Sequence, residues 1–393
     1  MSAVPSIALG ELMAVKAGSV DPAKFPDEVF DLYSIPAFDK GQCEIVVGSA
    51  IGSTKQVVRT GDILLSKIVP HIRRSWIVGN SCGRRLIASG EWIVIRSDKV
   101  APAYVRHVLV GNPFHAQFMQ TVSGVGGSLL RARPAQVAKI KIPLPPLPEQ
   151  IRIAAILDQA DALRVKRRVA LEQLDSLTQS IFIEMFGDPV ANPKKWQCAE
   201  MTDVVIGKYG VKAGPFGSSL KKEEYTPTGY RVYGQEQVIA GRFDIGDYYI
   251  GARKFEQLKS CAVCEGDLLV SLVGSFGKVL VVPPGIEPGI INPRLLKITP
   301  NPQLITSVFL AATLTLPATQ MAFERIAHGG TMGILNAGLI KQLIVMLPPL
   351  ALQHEYEKRV SAIERLKQMH CTSLADFNAL FASLQHRAFR GEL

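Results

Sequence analysis

The chain has 393 residues, 47% hydrophobic and 20% charged, a composition typical of a soluble globular protein that excludes long disordered stretches. Its formal net charge of +10 favours an anionic partner, such as nucleic acid or a membrane surface. The N-terminus lacks the basic start and apolar core of a signal peptide, and the most apolar run, Val308 to Leu316, is too short to cross a bilayer. We therefore expect a soluble, cytoplasmic protein with no membrane partner.

Residues 1–142 predict a first α+β block. Short β-branched and aromatic runs between Gly, Asn and Ser predict strands at 45–47, 63–65, 76–78 and 92–95. Apolar residues at helical spacing from Tyr104 to Met119 predict a helix that is interrupted around Gly111-Asn112-Pro113.

A long helical pattern follows the first block. Residues 149–186 contain no Gly or Pro, and apolar residues recur at alternating spacings of three and four, interrupted only at Arg167, which predicts one a/d stripe. The stripe comprises Ile153, Ile156, Ala160, Leu163, Ala170, Leu174, Leu177 and Ile181. Pro148 suits a helix start, and Gly187-Asp188-Pro189 ends the pattern. We assign residues 143–189 to a long helix whose stripe needs a partner to cover it.

The second half follows the same plan. Residues 190–345 predict a second α+β block, with strands at 204–206, 268–270 and 279–282. Residues 346–393 predict a second long helix, whose stripe is interrupted by Lys367 and His370. The apolar members of this stripe are Val360, Ile363, Leu374, Phe377, Phe381, Leu384 and Ala388.

Several phrases occur once in each half of the chain. The proline-rich residues 140–150 return in altered form as residues 343–353, and each copy follows a Gly-Gly-Ser or Gly-Gly-Thr sequence, at 126–128 and 329–331. The sequence Gly-Asp-Ile-Leu-Leu-Ser at 61–66 returns as Gly-Asp-Leu-Leu-Val-Ser at 266–271. Such a half-chain repeat predicts two similar halves. We therefore predict an α+β protein in which two globular domains are joined by two long antiparallel coiled-coil helices, with a pseudo-two-fold internal repeat.

Common catalytic motifs do not occur in the sequence. There is no G-x-x-x-x-G-K-[ST] phosphate loop and no G-x-S-x-G nucleophile elbow, and the seven histidines form no H-E-x-x-H motif. Cys261 and Cys264 form a lone C-x-x-C, whereas a structural zinc site needs a second pair. We therefore predict no metal site.

Basic residues concentrate near the predicted turns of both blocks. Arg can pair bidentately with guanine and Gln with adenine in the major groove, whereas Lys more often contacts phosphate. The candidate DNA-contacting residues are Lys55, Arg59, Lys67, His71, Arg73, Arg74, Arg131 and Arg133 in the first block, and Lys212, Lys221, Lys222, Arg231, Gln235, Gln237, Arg253, Lys254, Lys278 and Arg294 in the second. The alternative for each of them is a solvated charged surface.

Taken together, these features resemble the specificity subunits of type I restriction–modification systems over essentially the whole chain. The resemblance rests on residues 142–150, on the helix from Leu177 to Pro189, on the two Gly-Asp phrases and on residues 214–221, which read Gly-Pro-Phe-Gly-Ser-Ser-Leu-Lys. The last stretch adds Ser218 to the candidate DNA-contacting residues. The second proline-rich phrase departs from the pattern, because Ala351-Leu352 replaces Pro148-Glu149.

The resemblance implies that residues 1–142 and 190–345 are target-recognition domains, each reading one half of a split, asymmetric site in double-stranded DNA. The paired helices would fix the length of the unread spacer and dock two methyltransferase subunits, which carry S-adenosylmethionine. Separate motor–nuclease subunits, which use ATP and Mg, would cut unmodified DNA. The chain itself would be non-catalytic and would bind no cofactor.

Two other functions stay open on the sequence alone. One is a self-contained DNA-modifying enzyme that uses an unrecognised site. The other is a coiled-coil scaffold that binds proteins but no DNA.

Overall fold

A computed structural model of the chain describes residues 4–14, 18–124, 130–216, 219–272, 277–321 and 337–393. The Gly-Gly sequences at 126–128 and 329–331 and the candidate residue Ser218 lie outside the described residues. The chain divides into two compact units: unit 1 comprises Met1–Val169 and Cys371–Leu393, and unit 2 comprises Ala170–His370.

Unit 1 combines short strands with short helices and parts of two long ones. Its strands are β1 (Ser6–Ala8), β2 (Ser19–Val20), β3 (Val29–Tyr33), β4 (Glu44–Val47), β5 (Lys55–Val57), β6 (Ile63–Ser66), β7 (Ser75–Ile77), β8 (Arg85–Ala88), β9 (Trp92–Ile95), β10 (Val122–Ser123), β11 (Arg131–Ala132) and β12 (Lys141–Pro143). Its short helices are Ile35–Asp39, Pro102–Val110, Asn112–Met119 and Pro134–Val137, with 3-10 turns at Leu9–Glu11, Pro22–Lys24 and Gly48–Ala50. The predicted break at Gly111 is confirmed.

The strands of unit 1 form a larger mixed sheet and smaller antiparallel ones. The larger sheet has the order β2-β5-β8-β3-β4, in which β3 and β8 are parallel. A second sheet has the order β7-β6-β9, and β1 pairs with β12 and β10 with β11.

Unit 2 has a corresponding set of elements. Its strands are β13 (Cys198–Glu200), β14 (Val211–Ala213), β15 (Tyr225–Thr226), β16 (Tyr230–Tyr233), β17 (Tyr249–Ile250), β18 (Leu268–Ser271), β19 (Val279–Val281), β20 (Gly289–Ile291), β21 (Leu295–Ile298) and β22 (Ile344–Met346). Its short helices are Gln235–Ala240, Ala252–Gln257, Ser307–Thr315 and Ala337–Lys341, with 3-10 turns at Met201–Asp203, Lys222–Glu224 and Lys259–Cys261.

The sheets of unit 2 again include one parallel pair. One sheet has the order β15-β17-β16-β20, in which β16 and β20 are parallel, and another has the order β14-β21-β18-β19. Strands β13 and β22 pair at the segments that adjoin the long helices. The mixture of helices and strands in both units confirms the predicted α+β class.

The repeated Gly-Asp phrases form strands that are buried on both faces, β6 and β18. Because side chains alternate across a strand, Ile63 and Leu65 enter one apolar cluster of unit 1 and Leu64 enters another. In unit 2, Leu268 and Leu269 are divided between two clusters in the same way. This double burial explains why both strands read as continuous apolar runs.

Two long helices contribute to the cores. The central helix spans Leu147–Phe186 and the C-terminal helix spans Leu350–Arg390. In unit 1, Ile153 and Leu157 pack into the same cluster as Ala388. In unit 2, Phe182 and Phe186 of the central helix pack against Phe309, with ring centroids 5.4 and 4.8 Å away, and Tyr356 of the C-terminal helix contacts both phenylalanines of the central helix. Truncating a buried aromatic ring of this kind costs about 3–5 kcal/mol, so these contacts fix the helix ends.

The predicted stripe of the central helix is partly wrong. Ile153 and Ala160 are buried as predicted, but Leu163 and Leu177 are 41% and 45% exposed. The side chains of Arg164 and Arg167 point instead toward aromatic rings of the C-terminal helix, 4.3 Å from the Phe381 centroid in the first case. The methylene groups and the guanidinium of an Arg side chain can cover aromatic surface, so charged residues can occupy positions on the seam between the helices. A pattern of apolar residues alone does not identify these positions. In the C-terminal helix, the predicted stripe members are all buried or half-buried.

One predicted strand, 204–206, is also wrong. Val204 follows the 3-10 turn Met201–Asp203 and is buried against the core of unit 2, and Val205 makes only an isolated bridge to Pro300. Apolar β-branched residues therefore mark burial here rather than a strand.

Candidate nucleic-acid interface

The loops that follow β16, β18 and β20 meet at one end of unit 2. The Asn292 amide, just after β20, donates a hydrogen bond to the Tyr233 carbonyl at the end of β16 (2.8 Å). The Leu272 amide, just after β18, donates to the Arg294 carbonyl (3.0 Å). Because backbone hydrogen bonds fix these loops to the strand ends, the loops can keep this arrangement with different side chains.

The loop after β14 joins the same end of unit 2. Gly214 donates its amide to the Leu295 carbonyl at 2.9 Å. A Cβ atom on Gly214 would lie 1.9 Å from the Asn292 carbonyl oxygen, so only glycine allows this close approach. The following Phe216 is 83% exposed. The loop thus presents a large apolar ring to solvent, and Phe216 lines the same pocket as the half-buried Lys212.

An open cleft of about 580 Å³ lies beside the turn that contains Arg294. Its lining includes Lys222, Tyr225, Glu236 and Tyr248. The two tyrosine rings have centroids 5.2 Å apart, and burial raises the pKa of Tyr225. Aromatic faces flanked by cations suit nucleotides, which offer both flat bases and phosphates.

Two predicted residues of unit 2 are buried and hold loops in place. The Arg231 guanidinium donates to the Ile245 and Gly246 carbonyls at 2.8 and 2.7 Å, and to Glu287 at 3.0 Å. The Gln237 side chain accepts from the Gly234 amide (2.8 Å) and donates to the Ile245 carbonyl (2.8 Å). Both side chains are engaged within the unit, so they position the loops of this end rather than offer free groups.

The other predicted residues of unit 2 differ in their surroundings. Gln235 donates to the Ser271 hydroxyl at 2.8 Å, which ties the loop after β16 to the end of β18. Lys254 lies 2.6 Å from Glu224, and its ammonium group holds the pKa of that carboxyl below its usual range. Lys212 is half-buried, and the exposed candidates are Lys221, Lys222, Arg253, Lys278 and Arg294.

The corresponding loops of unit 1 meet in the same way. The Ser89 amide, just after β8, donates to the Tyr33 carbonyl at the end of β3 (3.1 Å). The Lys67 amide, just after β6, donates to the Glu91 carbonyl (3.0 Å). The Lys67 carbonyl in turn accepts from the Ala132 amide (2.8 Å), which brings β11 to this end.

Predicted residues of unit 1 that gather at this end are partly paired. Arg131 donates to both carboxylate oxygens of Glu91, at 3.2 Å each, and this contact raises the pKa of the guanidinium. Arg74 is buried and makes a bidentate pair with Asp39 at 2.8 Å, which lowers the pKa of that carboxyl. Bidentate pairs of this kind fix both side chains in one geometry.

The remaining candidates of unit 1 lie around these pairs or away from them. Arg73 donates to Asn112 (2.7 Å) and to the Val110 carbonyl (3.0 Å). Lys55 lies within hydrogen-bonding distance of the Ser53 hydroxyl, and burial lowers its pKa. Lys67 is half-buried, and the exposed candidates are Arg59, His71, Arg73, Arg131 and Arg133.

Sequence reasoning missed several residues at these loop ends. Glu91 is outside the candidate set because basic and amide side chains are the usual signals of DNA contact, although carboxylates also accept hydrogen bonds from base edges. Phe216, Tyr225 and Tyr248 were missed because an aromatic residue in a short strand or loop resembles core. The glycine and proline that flank Phe216 were the available signal, since a loop aromatic between them cannot belong to a regular element.

Within the described residues, no group of three or more His, Cys, Asp or Glu side chains is arranged to hold a metal ion. Among the described helices, none is both long enough and apolar enough to span a bilayer.

Sequence comparisons connect this geometry to known proteins. A profile described as the type I restriction modification DNA specificity domain matches the chain twice, over residues 7–173 and 193–373. The chain is 24% identical over 335 residues to the specificity subunit of the type I restriction enzyme EcoBI of Escherichia coli, a match that covers 77% of this chain and 68% of that subunit. It is 27% identical over 290 residues to the EcoKI specificity subunit of Escherichia coli strain K12, covering 68% and 61%.

Solved structures share the fold. A chain from a study of complex assembly and conformational transition in the type I R-M system superposes with a TM-score of 0.60 at 19% identity, covering 100% of this chain and 98% of that one. The type I restriction-modification S subunit from M. genitalium gives a TM-score of 0.57 at 13% identity, covering 98% and 96%.

Proposed function

This chain belongs to the type I restriction modification DNA specificity family, and on that premise we propose that it reads a bipartite, asymmetric site in double-stranded DNA, one half with each unit. Its role within the family is DNA sequence recognition and not catalysis. The main support for a bipartite site is that each unit has loops that meet at one end of it, which we call its loop end. Both are held on corresponding backbone hydrogen bonds, yet they carry different side chains, such as Glu91 in unit 1 and Arg294 in unit 2.

We propose that the two units are related by a pseudo-two-fold internal repeat. Asp62 and Asp267 support it, because each carboxylate accepts the backbone amide three residues before it, at 2.8 Å from Arg59 and 2.7 Å from Cys264. Each aspartate also bonds to the residue opposite it, just beyond the neighbouring strand: Asp62 pairs with Arg96 after β9, and Asp267 accepts from the Thr299 hydroxyl after β21 at 2.5 Å. Because Asp62 and Asp267 make equivalent buried contacts at equivalent positions of the two units, they support an origin of both units from one duplicated domain.

The domain division that we propose assigns residues 1–142 and 190–345 to target recognition, and residues 143–189 and 346–393 to two long antiparallel helices in a coiled coil. Contacts within each unit support this pairing. In unit 1, Arg152 donates to the Leu393 carbonyl (2.8 Å) and Arg164 donates to Asn378 (2.8 Å). Residue numbers therefore increase along the central helix as those of its contacts on the C-terminal side decrease. In unit 2, Lys367 lies 2.8 Å from Asp175.

The coiled coil would act as a ruler between the two readers. The central helix has 40 residues and is therefore about 60 Å long, more than one duplex turn of roughly 34 Å. Polar members of the seam, Arg164, Arg167 and Lys367, support a fixed register, since a polar residue at a seam position specifies one alignment. We infer that several unread base pairs separate the two half-sites.

The DNA-contacting surface that we propose consists of the loop ends of both units. The exposed candidates at these ends would contact phosphates or bases: His71, Arg73, Arg133, Lys221, Lys222, Arg253, Lys278 and Arg294. Arg131 would act through its pair with Glu91, and Arg59, which precedes β6 at the opposite end of that strand, would lie outside this surface. Lys55, Lys67, Lys212 and Lys254 are half-buried and would contribute positive potential at its margin. Arg74, Arg231 and Gln237 would act indirectly, because each is buried and bonded within its unit.

The partners that we propose are two methyltransferase subunits, which would bring S-adenosylmethionine, and motor–nuclease subunits, which would bring ATP and Mg. The chain would bind DNA without a cofactor of its own and would work in the cytoplasm. The long helices offer the docking surface, since exposed apolar residues such as Leu163, Leu177, Leu366 and Met369 stand on their outer faces.

Reconstitution with the methyltransferase subunits tests this function. We expect the complex to methylate adenines only within one split DNA site, and its DNA affinity to fall steeply with added salt as counterions are released. Methyl transfer or cleavage by this chain without partners would favour the self-contained enzyme instead. Undetectable or salt-insensitive DNA binding by the full complex would favour the scaffold.

A further inference from the structure

Two short turns, one in each unit, are built on the same hydrogen bonds. In unit 1 the turn is Ser89-Gly90-Glu91, and in unit 2 it is Asn292-Pro293-Arg294. Each follows the strand that runs parallel to a neighbour, β8 in unit 1 and β20 in unit 2. Each precedes a strand that is buried on both faces, β9 or β21.

The first residue of each turn holds the third through its own side chain. The Ser89 hydroxyl accepts from the Glu91 amide at 3.2 Å, and the Asn292 side-chain oxygen accepts from the Arg294 amide at 2.9 Å. The carbonyl of the third residue then accepts from the loop after the Gly-Asp strand, at 3.0 Å in both units. Corresponding bonds on both sides fix the backbone of Glu91 and Arg294 in corresponding positions.

The two side chains placed in this way have opposite charges: Glu91 is a hydrogen-bond acceptor and Arg294 is a hydrogen-bond donor. Arg294 is exposed, lines the cleft with Lys222 and Tyr248, and is in no ion pair with any described residue. Glu91 is 30% exposed and accepts from Arg131 at both oxygens. A carboxylate has about four lone-pair sites, so the pair leaves acceptor capacity on Glu91, and Arg131 offsets its repulsion from DNA phosphates.

We propose that Glu91 and Arg294 are equivalent specificity-determining residues, one for each half of the DNA site. Arg294 would donate two hydrogen bonds to guanine, and Glu91 would accept from the exocyclic amino group of cytosine. Arg131 acts as a positioning residue that holds the Glu91 carboxylate. This inference rests on the proposed function, because it needs each unit to read one half-site.

The test uses the complex of the full chain with its methyltransferase subunits and a library of randomised DNA duplexes, read out by adenine methylation. Glu91→Gln and Arg294→Gln replace each group by an amide, which pairs with adenine. We expect Glu91→Gln to lose cytosine preference at one base pair of one half-site, and Arg294→Gln to lose guanine preference at one base pair of the other. The loss of discrimination should be about 5- to 150-fold, with adenine gaining in both cases.

A matched control is available in the same unit as Glu91. Glu28 has the same 30% side-chain exposure and pairs with Arg85 at 3.1 Å, but it precedes β3, at the opposite end of that strand from the loops. Glu28→Gln should leave every base preference unchanged. Retained preference in either turn variant, or changes that fall in the same half-site, would overturn the inference. A wild-type complex that shows no split site would instead refute the proposed function.

Discussion

Gln150 and Gln353 make the same set of hydrogen bonds in different units. In unit 1 the Gln150 side chain accepts from the Ala101 amide (2.9 Å) and donates to the carbonyls of Pro145 (2.8 Å) and Lys99 (3.2 Å). The side chain is buried, at the start of the central helix. It therefore fastens the helix start to the residue that precedes the helix Pro102–Val110.

In unit 2 the Gln353 side chain accepts from the Thr306 amide (2.8 Å) and donates to the carbonyls of Pro348 (2.8 Å) and Leu304 (3.2 Å). Gln353 occupies the same place in the second proline-rich phrase as Gln150 in the first, although Ala351-Leu352 stands where the first phrase has Pro148-Glu149. The structure gives the reason, because three backbone groups depend on this one amide, two of them through buried hydrogen bonds.

The first prediction concerns this pair of glutamines. Gln150→Met and Gln353→Met keep the volume but leave buried backbone groups unsatisfied, so each should destabilise its unit by about 2–3 kcal/mol. Urea unfolding measures the loss. Gln159 is exposed on the same central helix, and Gln159→Met should change the free energy of unfolding by less than about 0.5 kcal/mol. Equal effects of Gln150→Met and Gln159→Met would contradict this assignment.

The sequence predicted much of this architecture because the relevant signals are local. The doubly buried strands β6 and β18 read as apolar runs, and Gly187, at φ +83°, ends the central helix where expected. Side chains whose role depends on tertiary partners were harder to place. Arg231 and Arg294 look alike in sequence, yet one is buried among carbonyls and the other lines an open cleft. Apolar spacing places Leu163 on the seam, because spacing alone does not reveal that Arg164 covers Phe381.

The second prediction concerns pH. His107 is buried in unit 1 with its Nε2 atom 2.7 Å from Asp158, and burial lowers its pKa below the ordinary value of 6.5. The unfolded chain therefore binds the proton more readily, so the contribution of His107 to stability is fully present above pH 6.5 and is lost as the pH falls below that value. Unfolding measured from pH 7.5 down to 5 should show this loss, and His107→Gln should reduce it. Identical pH slopes for both proteins would show that His107 is not the group responsible.

The third prediction concerns the exposed ring of Phe216. An exposed apolar ring that lines the same pocket as Lys212 suits insertion against or between bases, as in proteins that kink DNA. Phe216→Ala should weaken DNA binding by the complex roughly ten-fold, the loss of about one stacking contact. It should leave the unfolding midpoint unchanged, since the ring is 83% exposed.

A control for this ring lies in the same unit, where Ile206 is 52% exposed and its amide bonds to the Thr299 carbonyl, at the opposite end of β21 from the turn that contains Arg294. Ile206→Ala removes a similar apolar group, and the DNA affinity of the complex should stay at the wild-type value. If both substitutions weakened binding alike, the role assigned to Phe216 would be refuted.

The fourth prediction concerns the ruler. Seven residues inserted after Arg168, with seven more inserted after Leu374, lengthen both helices by one heptad and keep the phase of the seam. The reach grows by about 10 Å, so the unread spacer should widen by about three base pairs at roughly 3.4 Å each. Mapping methylated adenines reports the spacer directly. A variant that still assembled and methylated at the original spacing would refute the ruler.

The central claim is that each unit reads one half of a split DNA site. The most direct measurement replaces residues 1–142 by the corresponding domain of another family member and maps methylated adenines in the reconstituted complex. We predict that one half of the target changes to the donor's sequence, while the other half and the spacer length stay as they are. A change in both halves, or in neither, would contradict the claim.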